Sequence, residues 1–162
     1  MYRDAAELST LCEENGVLFV VNDHVDVAAA VKAPAVHVGQ DDLPVAVARR
    51  VVPATTIVGV SCHTLDEVER AVGDGADYIA VGAVFPTARK DGATVVGLKL
   101  VRMAKERVGQ KPLVAIGGID RTNVAAVIEA GADAVAVISA VVMREDVNAA
   151  AREMCAAMCM QD

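Results

Sequence analysis

Short apolar runs alternate along this chain with stretches whose apolar residues recur at helical spacing. The clearest unit is 113–140, LVAIGGIDRTNVAAVIEAGADAVAVISA. Leu113–Ile116 is an apolar run ending in Gly117-Gly118. Val124, Val127 and Ile128 mark one face of a helix that Asp120 can cap. Gly131 stops that helix, and Ala134–Ile138 is a second apolar run closed by Ser139. Two buried strands joined by a helix make a parallel βαβ unit.

The same alternation predicts the rest. Asp4–Asn15 reads as a helix through Ala5, Leu8, Leu11 and Cys12, with Gly16 ending it. Strands follow at Val17–Val21, Ala35–Val38, Thr56–Val60 and Tyr78–Val81. Helices follow at His24–Lys32, at Pro44 to about Val52, at Leu65–Val72, at Gly97–Val108 and near Val147–Met160. Thr64 and Glu67 have capping-box spacing. The longest loop, from Gly82 to about Val96, carries PTARKDG. GADYIAVGAV at 75–84 echoes GADAVAVISA at 131–140, and KAPAVHVGQ at 32–40 is a weaker copy. Repeated βα units of this kind imply a parallel sheet, and closing such a sheet gives a barrel. The expected class is therefore α/β, of (β/α)8 TIM-barrel type but incomplete, with about six parallel strands in a single domain over 1–162.

Composition agrees. Hydrophobic residues make up 54% of the 162 residues and aromatics only 2%, so the core is built of Val, Ala, Ile and Leu, as in strands buried on both faces. A formal net charge of -7 without a basic stripe argues against nucleic-acid binding. No apolar run approaches the ~18–20 residues that span a bilayer. Nor does a basic stretch precede an apolar signal core, so a cytoplasmic protein without membrane partners is expected. Cys12, Cys62, Cys155 and Cys159 form no CxxC pair and are expected to be free thiols. The last two, one helical turn apart, fit a packed helix face better than a metal site.

Polar residues gather where parallel strands place active sites, at their carboxyl ends. They are Asn22 and Asp23; Gln40, Asp41 and Asp42; Ser61 and His63; the PTARK loop; Gly117 and Gly118; and Ser139. Asp23 and Asp42, from successive strands, can share a Mg2+ ion with substrate phosphates, although either could instead cap the helix that follows. The bare amides at Gly117-Gly118 and the turn at Ile138-Ser139 suit a phosphate; the plainer reading is a tight turn. Lys90, beside Arg89, could neutralise a leaving pyrophosphate. His63 could serve as an acid or base or simply complete a turn. Cys62 should point away from its neighbours, which excludes a Cys–His nucleophile. His37, inside a strand, reads as a core or supporting residue.

Taken together, VVND at 20–23, HVGQDD at 37–42, GVSCHT at 59–64, GADYIAVGAVFPT at 75–87, AIGGI at 115–119 and GADAVAVISA at 131–140 resemble thiamine phosphate synthase. The resemblance implies a (β/α)8 barrel that joins hydroxymethylpyrimidine diphosphate to thiazole phosphate and releases pyrophosphate. It implies that Asp23 and Asp42 hold Mg2+ and that Asn22, Ser61 and Lys90 contact pyrophosphate. It also implies that Thr87 lies near the thiazole and that Gly118, Ile138 and Ser139 hold the thiazole phosphate. Lys90 and Ser61 are the expected catalytic groups; Gln40, Arg89 and Gly117 complete the expected substrate contacts. Where the family's loop reads PTxTK, this chain has PTARK, with Arg89 in place of a threonine. The family also has a strand, helix and strand carrying a Q-x-R-x-K pattern before the point matched by Met1. An N-terminally truncated barrel with open edges is therefore expected, and with it a homo-oligomer. A non-catalytic phosphate-binding relative and a thiazole tautomerase of the same superfamily are the alternative functions.

Overall fold

The computed structural model describes residues 1–87 and 94–159. These fall into two compact units, Met1–Cys62 with Arg70–Ile79, and His63–Glu69 with Ala80–Asp162.

The first unit carries α1 (Tyr2–Glu14), β1 (Val20–Asn22), α2 (Val25–Val31), β2 (Ala35–Val38), α3 (Val45–Val51) and β3 (Ile57–Cys62). It also holds the first half of β4 (Tyr78–Val81) and the last residues of α4 (Leu65–Gly73). Its strands run in parallel, with Val20 opposite Ala35 and Asn22 opposite His37. His37 in turn lies opposite Gly59, and Val38 opposite Val60. Ala35, Val36, Val38 and Val58 are fully buried, as parallel strands covered on both faces require.

The second unit continues with the rest of β4, then α5 (Gly97–Val108), β5 (Leu113–Ile116), α6 (Val124–Glu129), β6 (Ala134–Ala136) and α7 (Val147–Cys159). Strand β6 runs parallel to β5, with Ala136 opposite Ile116. Leu100, Val101, Ala104 and Val108 form the buried stripe of α5. Beyond β4, Val84 N–H donates to the Ile116 carbonyl and Phe85 N–H to that of Gly117, 2.9 and 3.0 Å away. Val96 N–H donates to the Ala83 carbonyl at 2.8 Å, which draws together the two feet of the loop between them.

The GAD echo has one physical meaning in both units. Asp77 N–H donates to the Val58 carbonyl, and Asp77 Oδ2 accepts from Val58 N–H at 2.7 Å. Asp133 N–H donates to the Leu113 carbonyl, and Asp133 Oδ2 accepts from Leu113 N–H at 2.8 Å. Each aspartate thus closes a two-bond clasp on the preceding strand. Each also meets a cation: Arg49 at Asp77, and Lys105 at Asp133. In the weaker copy Pro34 stands in place of the aspartate, and only its carbonyl is used, accepting from Ile57 N–H.

Several elements differ from expectation. The strands expected at Val17–Val21 and Ala134–Ile138 are shorter, at Val20–Asn22 and Ala134–Ala136. Pairing begins where β2 supplies Ala35 and ends where β5 gives way to Gly117, whose φ is +89°. Asp120 does not cap α6. Its carboxylate accepts from Thr122 N–H and Oγ1–H, and the helix begins only at Val124. The capping box at α4 is displaced by one residue: Thr64 Oγ1 accepts from Glu67 N–H, but the Glu67 carboxylate takes the amide of His63. Cys155 and Cys159 are exposed rather than packed, and all four cysteines are free thiols.

Asp133→Ala is expected to lower stability by about 1–2 kcal/mol at neutral pH, mostly through the orphaned Leu113 amide. The solvent-exposed pair with Lys105 adds less than about 1 kcal/mol. The hydrogen bond from Lys105 holds the Asp133 carboxyl below its ordinary value of 3.8. Its charged form therefore contributes fully above that value, and the contribution is lost as pH falls through the lower folded-state value. Urea unfolding at a series of pH values should show the gap between the two proteins narrowing under acid.

Candidate functional site

Strand alternation decides which side chains of the first unit share a face. Gly59 and Ser61 lie on one face of β3 and Val58, Val60 and Cys62 on the other, with Cys62 fully buried. Cys62 is thus separated from Ser61, as its place in the sequence requires. His37, opposite Gly59, shares the face of Ser61: its Nε2 lies 2.8 Å from Ser61 Oγ and its Nδ1 lies 2.8 Å from Tyr78 Oη. The His37 and Tyr78 rings stack with centroids 5.4 Å apart.

Gly59 makes this possible. A Cβ at that position would stand 2.0 Å from Cζ of Tyr78. The missing side chain is the space the tyrosine ring occupies, which is why a glycine interrupts the β-branched run from Ile57 to Val60. Burial lowers the pKa of the His37 imidazole from its ordinary value, opposed by the charge of Asp42. Burial pushes the Tyr78 phenol up to about 12.

Asn22 ends β1, and Asp23 follows in the left-handed conformation with φ +65°, which aspartate tolerates better than most residues. Asp23 N–H donates to the His37 carbonyl, tying this turn to β2. After β2, Asp42 Oδ2 accepts from Gly39 N–H at 2.6 Å and so shapes its own loop. Gln40 Nε2 donates to the Ser61 carbonyl at 2.7 Å. Asn22, Asp23, Gln40, Asp42 and Ser61 thus all belong to the carboxyl ends of β1–β3 in one unit.

In the second unit Gly117 and Gly118 have φ of +89° and +66°. A Cβ on Gly118 would meet the Pro86 and Phe85 carbonyl oxygens at 2.5 and 2.7 Å, and one on Gly117 the Cβ of Ala83 at 2.6 Å. Both glycines are therefore demanded by the packing of the loop after β4, whatever ligand their amides serve. Asn123, which sequence reasoning passed over, braces the same turn: its Nδ2 donates to the Gly118 carbonyl and its Oδ1 accepts from Asp120 N–H. Ile138 and Ser139 are exposed, and the Ile138 carbonyl accepts from Val141 and Val142 N–H in a single turn. Thr87 is half-buried, whereas Arg89 and Lys90 lie outside the described residues. His63 bonds through Nδ1 to the Gly82 carbonyl, with its amide on Glu67, so turn-building accounts for much of this residue.

Sequence reasoning also missed Tyr78. The available signal was Gly59, a glycine inside a strand whose neighbours carry a histidine and a tyrosine.

A family model described as thiamine monophosphate synthase matches residues 1–141. Thiamine-phosphate synthase of Chloroflexus aurantiacus is 52% identical over 155 residues, covering 95% of this chain and 71% of the relative. That of Methanocella arvoryzae is also 52% identical, covering 95% and 73%. Among solved structures, thiamine phosphate pyrophosphorylase from Pyrococcus furiosus superimposes with a TM-score of 0.89 at 41% identity, covering 97% of this chain and 75% of that one. That likeness bears out the expected class, an incomplete (β/α)8-type α/β fold with six strands among the described residues. A 3-hexulose-6-phosphate synthase, at 20% identity and a TM-score of 0.70, shares the fold.

Gly59→Ala is expected to cost about 1–3 kcal/mol through overpacking against Tyr78. In the part of the population that stays folded, the displaced phenol should ionise nearer its ordinary value of 10.0 than about 12. Thermal unfolding and ultraviolet titration of tyrosine measure the two effects.

Proposed function

Because the chain belongs to the thiamine monophosphate synthase family, we propose that it is a transferase of thiamine biosynthesis, joining hydroxymethylpyrimidine diphosphate to thiazole phosphate with release of pyrophosphate. The observation that carries this reading is 52% identity to a thiamine-phosphate synthase over 95% of the chain. The polar carboxyl ends of β1–β3 support it, since Asn22, the exposed Asp23 and Ser61 gather there at the ends of apolar strands in one unit.

In this reading the C–O bond to pyrophosphate breaks with its electron pair leaving on the diphosphate, and the thiazole nitrogen captures the pyrimidine cation. Such a step needs charge stabilisation and positioning more than proton transfer. Asn22, Gln40, Ser61 and Lys90 take the pyrophosphate, with Lys90 and Ser61 stabilising its departing charge. Thr87 lies near the thiazole, Arg89 adds a substrate contact, and Gly117, Gly118, Ile138 and Ser139 take the thiazole phosphate.

Asp23 and Asp42 offer carboxylate oxygens without sulfur or imidazole, a donor set that fits Mg2+. Among the described residues no group of three or more His, Cys, Asp or Glu side chains could hold a metal alone. Asp23 and Asp42 would hold such a cation, with water and phosphate free to supply further oxygens, the usual habit of Mg2+. When bound, it supplies positive charge to the departing pyrophosphate.

Among the described residues no helix is long and apolar enough to cross a membrane. We assign the protein to the cytoplasm, with small-molecule partners, and to a homo-oligomer. The exposed Leu8, Leu11, Val17 and Leu18 support self-association. Sedimentation that shows only monomer at micromolar concentration rejects the oligomer.

Incubation with both substrates and Mg2+ should yield thiamine phosphate. Asp23→Asn and Asp42→Asn should each lower the rate by roughly 10²–10³, the usual cost of removing one charge-stabilising group, and raise the Mg2+ concentration needed. Proton exchange on the thiazole without Mg2+, and with no condensation, would turn the assignment to a tautomerase.

A further inference from the structure

His37 and Tyr78 have no substrate role in the reading above, yet both connect to Ser61. His37 Nδ1 is 2.8 Å from Tyr78 Oη, and Nε2 is 2.8 Å from Ser61 Oγ. A neutral imidazole donates from one ring nitrogen and accepts at the other. The three groups therefore have two consistent proton arrangements. In the first, Ser61 gives its only proton to Nε2, Nδ1–H faces Tyr78, and the serine retains nothing but lone pairs. In the second, Tyr78 donates to Nδ1, Nε2–H donates to Ser61 Oγ, and the serine proton remains to be given onward. An ionised pyrophosphate oxygen only accepts, so only the second arrangement lets Ser61 serve it.

We infer that Tyr78 and His37 are positioning residues that fix the Ser61 hydroxyl as a hydrogen-bond donor toward pyrophosphate. The inference rests on the reading of Ser61 as a pyrophosphate contact. Four considerations favour it. A phenol is a stronger donor than an aliphatic hydroxyl, which sets the direction Tyr78 → His37 → Ser61. Burial keeps the phenol in the neutral form this direction needs. Gln40 Nε2 already holds the Ser61 carbonyl at 2.7 Å, so the hydroxyl rotor is the freedom left for His37 to fix. Gly59, emptied to let the two rings meet, shows that the strand is built around this contact.

The chain has three histidines, so long-range 1H–15N spectra of the intact protein can assign His37 by comparison with His37→Gln. His37 protonated on Nε2 supports the inference, and protonation on Nδ1 overturns it without any variant having to fold. Calorimetry with magnesium pyrophosphate gives the second readout. Tyr78→Phe keeps the ring over Gly59 and should weaken pyrophosphate about tenfold, the order expected for one oriented hydrogen bond. It should leave thiazole phosphate binding unchanged. In a Ser61→Ala background the same change should have no further effect. If Ser61→Ala binds pyrophosphate as well as the unaltered chain, or the unaltered chain binds none, the reading of Ser61 falls and the inference with it. If Ser61→Ala weakens binding but Tyr78→Phe does not, or the two losses multiply, the positioning role alone is overturned.

Discussion

Parallel strands have no hairpin to set their register, so something else must hold each strand against the one before it. Here an aspartate does so in each unit. Asp77 and Asp133 each use one backbone and one side-chain bond to clasp the first residues of a neighbouring strand, at Val58 and Leu113. A slip of one residue would exchange the two faces of a strand. In β3 it would bury Ser61 and turn Cys62 toward His37. The chemistry at the carboxyl ends therefore depends on bonds made at the amino ends, where no substrate is expected.

Much of this was legible in the amino-acid pattern. Tyr78–Val81, Gly97–Val108 and Leu113–Ile116 lie where the apolar periodicity puts them, because dense packing on both faces leaves few alternatives. The ends of β1 and β6 were not legible. Val17, Leu18 and Ile138 are as apolar as strand residues, but a strand lasts only while a partner offers amides, and the partner's extent is not a local property. Asp120 is similar: its carboxylate could cap a helix, but Thr122 competes for it and wins locally.

The candidate site divides in the same way. Asn22, Asp23, Gln40, Asp42 and Ser61 could be read as one polar cluster, since all follow apolar strands. The connection from Ser61 back to Tyr78 could not, because it crosses three strands and depends on a side chain that is missing. Nor did the glycine pair at 117–118 declare its packing role, since an amide bared for a ligand and a Cβ excluded by a neighbour look identical in sequence. The contacts to Ala83, Phe85 and Pro86 reveal the second.

The bond between Val96 and Ala83 joins the two ends of the stretch that leads from β4 to α5. With its feet already joined, a change of length within it costs only the slow logarithmic growth of loop entropy and asks nothing of the flanking strand and helix. The stretch is thus suited to divergence in which molecules the protein accepts, while the framework beneath it stays the same.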